Sequence, residues 1–547
     1  MVDPVQAEAA SSGWPAGSTT ASLNRSSSGV ARNALFGYLT LIIGTLAGIV
    51  LTPIIYRGVG IADFGVLSVA VSAVSYTGLV ELGISTATTR RVAEVELNGP
   101  KALSVVARTA WVLHGAASLV CAALCTLLAI VYPYVFDVRS ESASTVRVMV
   151  LLLGLWQAVQ VISNVFVALL YGTGRLYVAA RAGSVMSVLA STGQAAVALA
   201  GWGTTAIAGV LAGSALLNAA VLRRLVRKHL HEAGPADGHF DGAEARRLVS
   251  SGWRISLNYV AGTIAFGADI VVVGVLLPAR DAAAYAVAQK GAGLAKQLLQ
   301  KLVDGLLPTY ASVTDEPALA AKVYRDALVY TGLLAMPMGA VMVLFGRPLL
   351  TAWLGAIPNG TVSVLATLGV LLIATVPGTN AASCLLGMGR AGTLARITTL
   401  GAAINLPVSV GLTLWLGIIG PALGSLVAVA LVDVVILPLL VCRALGVGVD
   451  ALARGCAAAL APSSAGVLIV CLGLRSIGDG TAVAAAAAFL AVPVSLLAWY
   501  ALAAGQTDRA RVQRLAVAVV RRLGRKPDQS LPSESGDSTE VTGPEKR

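Results

Sequence analysis

The chain has 547 residues, of which 56% are hydrophobic and only 12% charged, with a mean hydropathy of +0.81. Soluble domains carry about a quarter charged residues, so a soluble enzyme, a disordered regulator and a fibrous protein are all excluded. The net charge of +12 lies between apolar runs rather than in a basic patch with aromatics, so it orients a membrane protein and does not point to nucleic acid.

About thirty polar, Ser-rich residues open the chain. The first apolar run after them is long enough to span, so no cleavable signal is expected. A ruler of ~20 apolar residues then finds fourteen candidate segments, at about 34–56, 64–85, 108–133, 148–171, 178–199, 204–222, 255–277, 282–309, 326–346, 362–386, 394–415, 418–442, 457–474 and 481–503. The expectation is an all-α, polytopic membrane protein: two six-helix repeats around a central cavity, plus two extra helices. The expected divisions are a disordered tail 1–30, an N-terminal lobe 31–228, a linker 229–253, a C-terminal lobe 254–445, two further helices over 446–505 and a tail 506–547.

With the N-terminus in the cytoplasm, thirty of the 39 Lys and Arg residues fall on the cytoplasmic face. Six fall on the opposite face and three inside the eighth segment. That bias supports a multi-pass protein of the cytoplasmic membrane with both termini inside. The halves also repeat: Gly172-x-Gly174-Arg175 matches Gly387-x-Gly389-Arg390, and Arg181 matches Arg396 at the same offset. An even number of helices per half gives the repeats one orientation, about an axis along the membrane normal.

Ionisable and amide groups inside a bilayer are costly and need a cavity, a partner or a task. The first segment spaces small residues at Gly37, Thr40, Gly44, Gly48 and Thr52, a pattern for close helix contact. The second carries Ser68, Ser72, Ser75, Thr77 and Glu81, with packing favoured for the hydroxyls. The fourth aligns Gln157, Gln160 and Asn164, as a cavity wall or as interhelical hydrogen bonding. His114 and Asp433 stand alone in their segments, and a packing role is expected for the histidine. The seventh segment offers Arg254, Asn258 and Asp269, the last either an ion-pair partner of Lys290 or Lys301 or a coupling group.

The eighth segment holds the densest set. At 100° per residue, Lys290, Gln297, Lys301 and Asp304 share one stripe, and Gln289, Lys296 and Gln300 form the next, opposite Leu294, Leu298 and Leu302. Such a helix lines an aqueous cavity, packs on polar partners or lies at the surface. The charge bias needs it to span, which favours the cavity. Beyond the last span, Val512, Leu515, Val519 and Leu523 share a face and the arginines occupy the rest, as in a helix lying on an anionic leaflet.

The six cysteines show no C-x-x-C or His/Cys ligand spacing, so no disulfide frame, metal or other cofactor is expected. No Walker A loop and no large extramembrane loop is present, so transport is expected rather than enzymatic catalysis.

The run from Asn33 to Glu94 resembles the start of bacterial Wzx-type polysaccharide flippases, of the multidrug/oligosaccharidyl-lipid/polysaccharide exporter superfamily. The residues that carry this likeness are Tyr56-Arg57, Ile61, Phe64-Gly65, Glu81-Leu82-Gly83-Ile84 and Arg90-Arg91, with the glycine turns at Gly172 and Gly387. The resemblance implies alternating access of two lobes and movement of an undecaprenyl-diphosphate-linked oligosaccharide to the outer leaflet. It also implies Lys290, Lys296 and Lys301 on the diphosphate with Arg254 helping, and Gln157, Gln160, Asn164 and Asn258 on sugar, with Gln297 a further substrate-binding residue. Asp269 and Glu81 are the expected ion-coupling groups. Its expected partners are membrane lipids, the lipid-linked oligosaccharide, a polymerase and glycosyltransferases. The rivals are a drug/cation antiporter of the same superfamily, a lipid II flippase and a membrane glycan polymerase. An antiporter would want an acidic or aromatic cavity, and only 5% of this chain is aromatic.

Overall fold

A computed structural model describes residues 44, 47–81, 83–96, 99–138, 142–230, 238–506 and 509, with the backbone alone for 254–266. The amphipathic stretch after residue 510 and most of the first candidate segment lie outside the described residues. Every regular element described is helical.

The N-terminal half comprises α1 (Ala47–Val59), α2 (Ile61–Thr77), α3 (Ile84–Val95), α4 (Pro100–Val135), α5 (Ala143–Gly172), α6 (Leu176–Leu199) and α7 (Gly203–His229). A short 3-10 turn, Gly78–Glu81, joins α2 to α3. The second half begins with α8 (Gly242–Gly267), α9 (Asp269–Leu276), α10 (Ala279–Asp304), α11 (Leu307–Ser312) and α12 (Pro317–Leu354). It continues through α13 (Thr361–Ala374), α14 (Val376–Gly387), α15 (Ala391–Leu416), α16 (Gly420–Val429) and α17 (Leu437–Leu445), and ends with α18 (Val449–Ile477) and α19 (Thr481–Leu502). The helix α8 starts within the polar stretch that the sequence marks as a boundary.

Fourteen spans are the expectation from the sequence. Among the described residues, nine helical stretches are long and apolar enough to cross a membrane, or ten when the bent pair α13 and α14 forms one span. One of the nine, Ala391–Leu445, folds back on itself after Gly417 and brings Ser409 of α15 within 3.3 Å of the Pro421 carbonyl of α16. The lysine-rich α10 is too polar to count among the nine, although it packs against α2, α12 and α13. Prolines 133, 337, 348, 407, 462 and 493 sit inside these helices; Pro337 leaves the Leu333 carbonyl without its helical donor, and Ser495 Oγ of α19 donates to it at 2.7 Å.

The duplicated glycine turns have the same geometry. In the first, Gly174 has φ 68° and the Arg175 amide donates to the Leu170 carbonyl at 2.8 Å. In the second, Gly389 has φ 73° and the Arg390 amide donates to the Leu385 carbonyl at 2.8 Å. A left-handed residue with this backward bond closes a helix C-terminus, and glycine takes that conformation without strain. Each turn is preceded by a close approach: a side chain at Gly172 would meet Val92 of α3, and one at Gly387 would meet Tyr310 of α11. The fourth segment of each half thus rests on the continuation of its second.

The ends of the bundle differ. One, the arginine-rich end, carries Arg90, Arg91, Arg175, Arg223 and Arg390. At the other end the halves are locked together. Tyr56 Oη donates to the Ala356 carbonyl at 3.1 Å, Arg57 Nε to Leu354 at 3.1 Å, and Trp353 Nε1 to Ile49 at 2.7 Å. Gly65 of α2 presses on the backbone of Ala279 and Ala283 in α10, leaving no room for a side chain. Burial follows this gradient along α10. Residues 282–288 are all buried, whereas Lys290 just beyond them and Gln297, Gln300, Lys301 and Asp304 further along are exposed. The equivalent stretch Gly78–Glu81 after α2 has no buried residue. The space between α2 and α10 is closed at the arginine-poor end and opens toward the arginine-rich one.

Candidate functional site

A cavity of about 350 Å³ lies beside α10, lined by Gln289, Lys296, Gln297 and Gln300 on one wall. Leu368, Leu371, Leu372 and Thr375 at the bend of α13 and α14 form another wall, with Asp269 and Ser425 between them. The helical period explains the arrangement. Gln289, Gly293, Lys296, Gln297 and Gln300 fall on one face, while Leu294 and Leu298 face a separate apolar groove against Pro337, Met338 and Met342.

Asp269 is buried at the first turn of α9, and its Oδ2 accepts from Tyr285 Oη and Ser425 Oγ, both at 2.9 Å. The chain of bonds continues: Asn405 Nδ2 donates to Ser425 Oγ at 2.9 Å, and Ser409 Oγ donates to Asn405 Oδ1 at 3.0 Å. The cationic neighbour of Asp269 is Lys296, not Lys290 or Lys301, and Lys296 also faces Asp433. Asp433 is therefore not isolated. It sits in a π turn, Ala430–Ile436, and lies against Gly378 of α14, where any side chain would collide with it. A π turn inserts an extra residue and re-aims the side chains after it.

The other two lysines are spaced along the same helix. Lys290 is exposed near the closed end, its Nζ 5.7 Å from the Phe64 ring centroid of α2. Lys301 is half-exposed near the open end and forms a 3.4 Å ion pair with Asp304. At 1.5 Å per residue the three cations span about 16 Å of the helix axis.

The N-terminal half builds a second polar cluster. Glu81 Oε2 accepts from Asn164 Nδ2 at 2.6 Å, and its Oε1 accepts from Ser85 Oγ. His114, fully buried, lies 3.6 Å from Glu81 and 3.0 Å from Ser85, while its Nδ1 bonds the Ala110 carbonyl at 2.8 Å. The histidine that looks solitary in sequence is thus paired across three helical segments. Gln157 is half-buried with its amide against Gly78, and Gln160 is half-buried one turn further on. The side chains of Arg254 and Asn258 lie outside the described residues. The six cysteines are free, and Cys121 and Cys125 both lie 3.2 Å from Thr77 Oγ1.

A lysine, three amides, the Asp269 carboxylate and a row of leucines thus line one cavity beside a bend. The fold recurs in solved transporters. The chain is 14% identical to a structure described as the lipid II flippase MurJ in an inward closed conformation, at a TM-score of 0.64, covering 90% of this chain and 99% of that one. It is 15% identical to an inward-facing multidrug resistance MATE family transporter of the MOP superfamily, at 0.60, covering 76% and 96%. A third likeness is to the Vibrio cholerae MATE transporter VcmN in a bent form, at 14% identity and 0.53, covering 77% and 98%. No curated protein matches the sequence. The profile of the family described as polysaccharide biosynthesis protein matches residues 54–359, and the chain belongs to that family.

Proposed function

We propose that the protein is a flippase that moves a lipid-diphosphate-linked oligosaccharide from the cytoplasmic to the outer leaflet, by alternating access of two six-helix lobes. The observation that carries the reading is the polar face of α10, which places Lys296 among Gln289, Gln297 and Gln300 in one cavity. A diphosphate needs charged donors and a glycan needs amides, while the lipid tail can stay in the bilayer. Lys290 and Lys301 extend the cationic track toward the two ends, and Glu81 and Asp269 are the coupling groups. The charge bias favours a cytoplasmic arginine-rich end, and on that orientation the described conformation opens to the side where the precursor is made. Among the described residues no aromatic side chain lines the cavity, but Asp269 does, so the drug/cation antiporter reading keeps one of the two features it needs.

The test is translocation of a fluorescent polyprenyl-diphosphate glycan in proteoliposomes. Lys296→Gln keeps hydrogen bonding and removes the charge, and a charged hydrogen bond contributes about 1.5–3 kcal/mol. Translocation is expected to fall about tenfold or more, with normal abundance in the membrane. Because Lys296 also faces two carboxylates, Lys296→Gln/Asp433→Asn is measured beside it. Recovery of transport in that double variant would assign Lys296 to structure and overturn the substrate reading. Transport of a peptidoglycan precursor but of no surface-polysaccharide precursor would move the protein to the lipid II class.

A further inference from the structure

A second cleft lies far along the sequence from α10, at the arginine-rich end of the N-terminal half. Helix α5 packs against both α4 and α7 and forms the floor between them with Ile162 and Phe166. Arg108 and Trp111 of α4 form one wall, and Arg223 and Arg227 of α7 form the other, around about 470 Å³. Among the described residues no acidic side chain lines it. The guanidinium of Arg108 lies 5.1 Å from the Trp111 ring centroid, a cation–π contact that holds it over the cleft. Arg223 and Arg227 are one turn apart, so they share a face of the helix, and both are exposed.

The depth of the cleft is fixed by the sequence. Helix α7 changes from LLNAAVL to RRLVRKH between Leu222 and Arg223, and Arg108 is the last charge before the apolar run of α4. Both walls therefore cross the headgroup layer at this level, where tryptophan also concentrates. Three guanidiniums present paired N–H donors suited to phosphate oxygens, above a floor of Ile162 and Phe166 that suits an acyl chain. We infer that this cleft binds the phosphodiester headgroup of an anionic phospholipid. The geometry assigns to the N-terminal half a resident lipid site separate from the cavity at α10, and the reading does not depend on what that cavity carries.

The experiment is native mass spectrometry and thermal unfolding of the full chain in detergent, with phosphatidylglycerol, phosphatidylcholine or inorganic phosphate added. The wild type should retain phosphatidylglycerol in preference to phosphatidylcholine, and only the anionic lipid should raise the melting temperature. The Arg108→Gln/Arg223→Gln/Arg227→Gln variant should bind phosphatidylglycerol at least about tenfold more weakly. The charge-matched variant Arg224→Gln/Lys228→Gln/Arg246→Gln, which changes exposed residues outside the cleft, should bind as the wild type does. If the triple cleft variant does not express, Arg223→Gln alone should weaken binding relative to Arg224→Gln. Equal losses in the cleft and control variants would overturn the site, as would absence of lipid preference in the wild type. Equal stabilisation by inorganic phosphate would show a free-anion site and overturn the lipid assignment.

Discussion

Glu81 accepts from two donors on two segments, Asn164 at 2.6 Å and Ser85, with the His114 ring of a third segment 3.6 Å away. Its side chain is only 16% exposed, so removal of a donor leaves a poorly hydrated carboxylate that costs about 1–3 kcal/mol. Asn164→Leu should therefore lower the melting temperature in detergent, and Glu81→Gln in the same chain should restore most of it. No recovery would mean that Asn164 acts through packing alone. The pairing was not legible in the sequence, because His114 and Glu81 belong to different segments and nothing in either run fixes their mutual rotation. Lys296 and Asp433 were hidden for a related reason. The π turn that re-aims Asp433 has no composition signal, so helical periodicity misplaces every residue after it.

The glycine turns, in contrast, could be read from the residues, since a left-handed helix end selects glycine and two copies with matching arginines are hard to place otherwise. At the level of elements the least anticipated contact is the ion pair that ties α3 to α8. Arg91 Nε lies 2.7 Å from Glu244 Oε1 and its Nη1 lies 3.1 Å from Glu94 Oε2. The hydrogen bond to Glu244 raises the guanidinium's pKa further above its usual value. Glu94 is held below the usual carboxylate range, by Arg91 first and then by Arg90. A group lowered in the folded state contributes stability above its ordinary pKa of about 4.3 and loses it as pH falls through the lowered value. A double-mutant cycle on Arg91→Ala and Glu244→Ala should give a coupling of about 0.5–3 kcal/mol at neutral pH. In a Glu244→Ala background the remaining benefit of Arg91 should fade as the pH falls through the lowered Glu94 value. The readout is convergence of the melting temperatures of chains with and without the Arg91→Ala change. Persistence of the difference in acid would assign the benefit of Arg91 to packing.

At the scale of the whole molecule, the seal between α2 and α10 should be sensitive to bulk. Gly65 abuts backbone atoms of Ala279 and Ala283, so Gly65→Leu must separate the helices at the arginine-poor end. A cysteine introduced at Ala286, only 2% exposed, should be silent to a maleimide in the cysteine-free parent and reactive once Gly65→Leu is added. Lack of labelling would show that the ends can repack around the leucine. Orientation has its own check. In intact cells an impermeant reagent should reach Asn359→Cys but not Asp237→Cys, and the reverse pattern would invert the proposed direction of transport. The helical architecture was legible because apolar length is a strong signal. The location of the closed end was not, because the glycine contacts that make it join residues two hundred positions apart.

The bend between α13 and α14 gives the two halves unequal mechanics. Its counterpart α5 runs unbroken for 30 residues, whereas the later half turns by 41° at Thr375, just before Pro377. Proline offers no amide to the preceding turn. Hydroxyls take up nearby carbonyls instead: Thr375 bonds Leu372 at 2.8 Å and Thr379 bonds Thr375 at 3.0 Å. The Ile373 carbonyl, which Pro377 leaves without its usual donor, is met by the Thr375 amide, so the joint presents no bare carbonyl there to hydrocarbon. Leu371, Leu372 and Thr375 line the cavity at that joint, so one half has a compliant wall and the other a stiff strut. On the proposed transport function, adaptation to cargoes of different size would fall to the C-terminal half, with the N-terminal half as the frame against which it works.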